Sequence, residues 1–148
     1  DFKGEFRMHK KNMKKGFTLV ELLTVVVIIG LLAAFVVPKI FSNLGKTKKD
    51  IARAKMALIE NSIARFQLDC GRIPTQDEGI EALIVPPPEL EDKWSGRYAK
   101  QSEIIDPWGN AYIYIEQGEI NIGSYDLISL GADGTEGGEG ENEDIYNE

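Results

Sequence analysis

The apolar positions of this chain fall into three regimes. From Leu22 to Val37 there is no charged residue, and Pro38-Lys39 closes the run. A helix of about 20 apolar residues crosses the roughly 30 Å hydrocarbon layer of a bilayer. Residues 17–38 are therefore expected to form a transmembrane or filament-core helix. Lys14 and Lys15 stand just before it, which places the leading end in the cytoplasm by the positive-inside rule. Beyond Pro38 the apolar residues become periodic. Ala52, Met56, Ile59, Ile63, Phe66 and Cys70 recur at alternating four- and three-residue steps, one stripe on an amphipathic helix. Lys48, Lys49, Arg53, Lys55, Glu60 and Arg65 fall mainly off the stripe. The two regimes predict one long helix kinked near Pro38 and stopped by Gly71 as the residue after its last turn.

The third regime alternates. Ala111-Tyr112-Ile113-Tyr114-Ile115 is prone to form a strand, Gln117-Gly118-Glu119 reads as a turn into Ile120-Asn121-Ile122, and Tyr125 to Leu130 predicts a further strand. Two of these are expected to pair as a hairpin in a small antiparallel sheet, which the helix stripe covers. Between helix and strands, Pro74 and the triplet Pro86-Pro87-Pro88 bracket a short helical stretch from Asp77 to Leu83. The triplet itself reads as a stiff surface loop. In Asp106-Pro107-Trp108-Gly109-Asn110, Pro presets φ and Gly supplies a positive one, so this is a turn, with Trp108 as a plug for the core. The fold class is α+β: a leader over 1–16, a membrane or filament-core helix over 17–38, and one head over 39–148. Residues 1–7 precede Met8 and Met13, either of which suits a start, and are expected to be upstream sequence.

Charge sharpens this picture. The net charge is -7, yet residues 1–16 carry six Lys or Arg against two acids. Residues 101–148 carry twelve acids and no base, which argues against nucleic acid as a partner and for cations or basic surfaces. The single cysteine, Cys70, precludes an internal disulfide and reads as a small buried hydrophobe at the end of the stripe. A head this small, of 110 residues, then needs another staple. His9 is the only histidine and lies in the leader. With no His base, no Gly-x-Ser-x-Gly elbow and no phosphate loop, a membrane-anchored hydrolase is the weakest functional class.

Glu21 needs a reason, because a carboxylate at membrane depth costs about 2.5 to 3.5 kcal/mol on insertion scales. Thr18-x-x-Glu21 has the spacing of a capping box, in which Glu21 reaches back to a free N–H at the helix start. The other reading is an assembly contact between subunits, and the two roles are compatible. At the far end, residues 130–145 crowd carboxylates onto a glycine-rich backbone. Ca²⁺ takes six to eight oxygens at about 2.3 to 2.6 Å, and glycines let carbonyls converge. The stretch does not match an EF-hand, and a solvated acidic tail is the competing reading.

Taken together, GFTLVELL with Pro38, LDCGRIPTQDEGIEALI, DPWGNAYIY and YDLISLGADGTEGGEGENEDI resemble the major pseudopilins of the type II secretion system, in the type IV pilin-like superfamily. The first motif is shared by all type IV filament subunits, and the last is the most specific. The resemblance implies a long helix on a small antiparallel sheet with a C-terminal metal-binding loop. It implies leader cleavage between Gly16 and Phe17 by a prepilin peptidase, N-methylation of Phe17, and pairing of Glu21 with the Phe17 amine of a neighbour. It implies one calcium ion in place of the pilin disulfide, held by Asp133, Asp144 and the Leu130 carbonyl, with Asn142 a weaker ligand and Glu139, Glu141 or backbone carbonyls open as further ones. The implied function is structural: a single-pass inner-membrane subunit with a periplasmic head. It assembles with its own copies, minor pseudopilins and an inner-membrane platform into a periplasmic pseudopilus that helps drive folded proteins across the outer membrane. The alternative is an adhesion, motility or uptake pilin, against which the missing disulfide argues.

Overall fold

The computed structural model describes residues 16–148, apart from the side chain of residue 42. The predicted leader lies, up to Lys15, outside the described residues. One helix, α1 (Leu19–Cys70), takes up 52 residues and runs on through Pro38. Its residues divide between two compact units, which part between Lys39 and Ile40. In the first, every described residue from Leu19 to Lys39 is exposed, and the run is long and apolar enough to cross a membrane. At 1.5 Å per residue, residues 17–38 span about 33 Å. Within this stretch the Thr24 hydroxyl is satisfied by the helix itself, donating to the Val20 carbonyl at 2.8 Å.

In the second unit, the stripe read from the sequence is the core. Ala52, Met56, Ile59, Ile63, Phe66 and Cys70 are all buried, joined by Leu83, Ile104, Tyr112, Tyr114, Leu127 and Ile145. Burial pushes the Cys70 thiol up, away from the reactive thiolate. Gly71 ends the helix with φ 81°, its N–H bonded to the Gln67 carbonyl. The stretch 77–83 tightens into a 3₁₀ turn at Ile80–Leu83. The proline triplet opens another at Pro88–Leu90, with Pro87 buried beneath it.

The sheet has three short strands in the order β1 (Ile113–Ile115), β2 (Asp126–Ser129), β3 (Ile145–Tyr146), antiparallel throughout. Tyr114 lies opposite Leu127, and Ser129 opposite Ile145. Tyr112 and Tyr114 turn inward, and their hydroxyls donate to the Ala52 and Pro74 carbonyls at 2.9 and 2.7 Å. Both phenols are thereby buried but satisfied, and burial pushes their pKa values up.

One strand expectation is corrected. Ile120-Asn121-Ile122 is not a strand, and the third strand comes from the chain's end instead. The reason is Asp126, which is fully buried on the outer side of β2. Its Oδ2 accepts the Glu119 and Ile120 N–H groups at 2.7 and 2.9 Å, and its Oδ1 accepts Asn121 N–H at 2.8 Å and Asn121 Nδ2 at 3.0 Å. Three successive N–H groups converging on one anion form a nest. A strand would send them alternately to opposite edges.

Two more buried polar residues pin β2. Asp106 Oδ1 accepts the Trp108 and Asn110 N–H groups, while its Oδ2 accepts the Ser129 hydroxyl at 2.7 Å. Asn147 Oδ1 accepts the Leu127 N–H at 2.7 Å, and its Nδ2 donates to Glu60 on α1 at 3.0 Å. Trp108 is half-buried against the core, as a plug should be.

Burial pushes the Asp126 carboxyl up, but the N–H donors of Ile120, Asn121 and Glu119 outweigh it and leave its pKa below the ordinary carboxylate value. A folded-state pKa below the unfolded one adds stability that is present above about pH 4. That contribution is lost as pH falls through the lowered folded value. Asp126→Asn, which turns a donor toward donors, should cost about 2 to 4 kcal/mol at pH 7 and flatten this acid limb. Urea unfolding of both chains between pH 2 and 7 checks it; equal acid limbs would remove Asp126 from its role.

Candidate functional site

Two places carry chemistry. Just before α1, no atom of the described residues lies near the position a Cβ would take at Gly16, and Phe17 is 80% exposed. Thr18 and Glu21 close the capping box that their spacing predicted. Thr18 N–H donates to Glu21 Oε2 at 2.8 Å, the Thr18 hydroxyl donates to the same oxygen at 3.0 Å, and Glu21 N–H donates back to Thr18 Oγ1 at 3.2 Å. Glu21 Oε1 has no donor among the described residues.

The second place is the acidic segment that follows β2. Most of its residues are exposed, but its backbone is ordered. Ala132 N–H bonds the Glu141 carbonyl at 2.9 Å, and a short 3₁₀ turn at Gly140–Asn142 leads back into β3. Gly131, with φ 69°, allows this closure, because a Cβ there would lie 2.7 Å from the Glu141 carbonyl oxygen. The loop is also seated on α1. Glu143 pairs with Lys49, and the lysine holds the carboxyl below its usual range. The Glu141 side chain lies over buried Gly45, where a Cβ would meet its Cγ and Cδ. Sequence reasoning missed Gly45 and Lys49, since their partners lie more than 90 residues away. The only available signals were a glycine inside a helix and a base within a run of bases.

Asp144 stands where the loop enters β3. Its Oδ2 accepts the Gly137 N–H at 2.9 Å and the Tyr146 hydroxyl at 3.3 Å. Its Oδ1 is buried without a hydrogen-bond partner among the described residues. A buried carboxylate oxygen left bare is costly, and a hard cation is the kind of group that would satisfy it. Asp144 and Leu130 line one concavity of about 440 Å³ over the outer face of the sheet, together with Glu119, Glu136, Ile113, Ile128 and Tyr146. Asp133 lies outside that lining, exposed, with its Oδ1 accepting the Thr135 N–H at 3.1 Å. Asn142 is exposed and packs its Cβ toward Gly138. Glu139 and Glu141 are exposed. Among the described residues, no three Asp, Glu, His or Cys side chains gather closely enough to hold a metal by themselves.

Comparison with known proteins follows the same two-part division. Residues 39–148 match the family described as "Type II secretion system (T2SS), protein G", and residues 11–37 match the prokaryotic N-terminal methylation motif. The chain is 43% identical over 142 residues to the type II secretion system core protein G of Vibrio cholerae, covering 95% of each chain. It is 38% identical to the Pseudomonas aeruginosa protein of the same name, covering 93% of this chain and 97% of that one. Among solved structures it is similar to the major pseudopilin from the type 2 secretion system of enterohaemorrhagic Escherichia coli. The TM-score is 0.59 at 25% identity, over 72% of this chain and 91% of the other.

The seating of the loop on α1 generates a prediction. In a free helix Gly45→Ala would gain about 1 kcal/mol, but here the new Cβ must displace Glu141. The loop should lose about 1 kcal/mol of local stability, roughly a fivefold increase in amide exchange over residues 136–144. Adding Glu141→Ala should restore protection. Unchanged exchange in the single variant would show that Glu141 does not seat the loop.

Proposed function

Because the chain belongs to the protein G family of the type II secretion system, structural pseudopilins and not enzymes, we propose that it works as follows. A prepilin peptidase removes the leader after Gly16 and methylates the Phe17 amine. The mature chain sits in the inner membrane by residues 17–38, with its head in the periplasm. It then assembles with other copies of itself, minor pseudopilins and the inner-membrane platform into the pseudopilus. The observation that carries this reading is the fully exposed apolar run of α1, which has surface to bury and no partner within its own unit among the described residues. Packing such helices side by side hides that surface from both water and lipid. Glu21, capped by Thr18 yet offering Oε1, pairs with the Phe17 amine of the adjacent copy and so sets the stagger between subunits.

The test is made in cells carrying the rest of the machinery. Intact-mass analysis should find the chain starting at a methylated Phe17. Glu21→Ala should leave the protein inserted in the membrane but reduce filaments and export to background. Normal filaments from Glu21→Ala would reduce Glu21 to a helix cap, and an uncleaved chain would overturn the reading.

Calcium belongs to the same proposal. The bare Oδ1 of Asp144 is the feature that fits a hard cation, and the ligands implied by family resemblance are Asp144, Asp133 and the Leu130 carbonyl, with Asn142 the weakest. The ion would neutralise part of the loop's charge and tie the end of β2 to the start of β3. An ion that binds only the folded chain stabilises it by RT ln(1 + [L]/Kd), about 2.7 kcal/mol at a hundredfold excess over Kd. Ca²⁺ should therefore raise the melting temperature of the chelator-treated protein, and Mg²⁺, which dehydrates reluctantly, should do little. Asp144→Asn and Asp133→Asn should abolish most of the rise. No rise in saturating Ca²⁺ would sink the assignment.

A further inference from the structure

A concavity of about 510 Å³ opens in the head between the first turns of α1 there and the acidic loop, lined by Phe41, Gly45, Lys46, Lys49, Gly140 and Glu141. We propose that it seats the headgroup of a membrane phospholipid, one that carries both a phosphate and a primary amine. The inference rests on the reading of the apolar run as membrane-embedded.

The charges around the concavity fit such a zwitterion. Lys49 is already paired with Glu143. Lys46 and Glu141 are left over: among the described residues neither side chain makes a hydrogen bond or ion pair, and they do not pair with each other. One free ammonium and one free carboxylate therefore line the same space. An ammonium holds a phosphate through charge-assisted hydrogen bonds, and a carboxylate holds a primary ammonium in the same way. The Glu141 carboxylate is placed for this by Gly45, because its Cγ, Cδ and Oε1 occupy the room a Cβ would take.

The position along α1 brings the concavity to lipid. Phe41 is 65% exposed, and Ile40 and Leu44 beside it are exposed too, so the apolar surface of the run continues to the concavity's edge. From Ile40 to Lys46 the helix climbs about 9 Å. The headgroup and interfacial layers add about 5 to 8 Å to each side of the hydrocarbon, and a lysine stem reaches over the remainder. A phospholipid beside α1 can then lay its glycerol on Phe41 and give its phosphate to Lys46. Residues 39–55 carry six Lys or Arg against one acid. In the proposed orientation they stand on the side where the positive-inside rule leaves few bases. Headgroup binding gives that excess a reason, since basic pockets at the ends of spans recognise lipid headgroups.

Native mass spectrometry of the detergent-solubilised full chain tests this. Phosphatidylethanolamine, phosphatidylcholine and phosphatidylglycerol with identical acyl chains are supplied one at a time. The unaltered chain should retain phosphatidylethanolamine about fivefold better than either of the others. The quaternary amine of phosphatidylcholine has no N–H for Glu141, and phosphatidylglycerol has no amine. Lys46→Gln should weaken retention of phosphatidylethanolamine by a similar factor. Glu141→Gln, which keeps the shape over Gly45, should erase the preference over phosphatidylcholine. Equal retention of the three lipids by the unaltered chain overturns the proposal and leaves the concavity to a neighbouring copy. A preference for phosphatidylglycerol also overturns it, because binding then follows positive charge alone. So does a preference for phosphatidylethanolamine that survives both variants, which places the seat elsewhere. Cell fractionation separates this from the reading beneath it. A chain found outside the membrane removes both, whereas a membrane-embedded chain without the lipid preference removes only the headgroup seat.

Discussion

Asp126 has no access to water, so its negative charge has to be met by donors from the chain itself. Those donors are successive N–H groups of the connection between β1 and β2. That requirement shapes the head. It folds residues 116–124 over the outer side of β2, where they would otherwise extend the sheet, and it leaves an edge of β2 for the chain's end to occupy as β3. A sheet of three short strands is marginal alone. Here each side of β2 is tied by a buried polar side chain: Asp126 to the turn, Asp106 through Ser129 to the preceding loop, Asn147 through Glu60 to α1.

These bonds also explain how a head without a disulfide holds its C-terminal segment. Lys49 and Gly45 on α1 receive Glu143 and Glu141, Ala132 bonds back to Glu141, and Asn147 reaches Leu127. The exposed ion pair adds little by itself, since surface pairs contribute roughly 0 to 1 kcal/mol. The contribution lies in geometry. With the loop seated at both ends, Asp144 is fixed at the entry to β3, and its Oδ1 is left inside without a donor among the described residues. A cation at that point would complete an arrangement the protein's own hydrogen bonds leave open by one atom.

Function divides along the same line as the two units. The first unit is an exposed apolar helix surface, with one carboxylate near its start that is capped through one oxygen. The second is a self-contained head whose core is filled by the stripe of α1. Asp126, Asp106, Ser129 and Asn147, buried in the head, are paired within the fold, as suits a building block of the type II secretion pseudopilus and not a catalyst.

How much of this was legible beforehand depended on the range of the interaction. Local periodicity determined the apolar run, the 52–70 stripe residue by residue, the stop at Gly71 and the Thr18–Glu21 box, because each is set by neighbours three or four positions away on one helix. The turn at Pro107 and Gly109 was equally plain, and the family motifs carried the assignment to pseudopilins. Asp126, Asp106, Asn147, Gly45 and Lys49 were not legible. Each looks like an ordinary surface residue until the fold buries it or brings it a partner. The failed strand at 120–122 shows the same limit: its alternation was real, but a buried charge outside the window claimed its N–H groups. Periodicity registers which face of an element is apolar. Only the tertiary structure decides which polar atoms become buried, and therefore which backbone groups must turn to satisfy them.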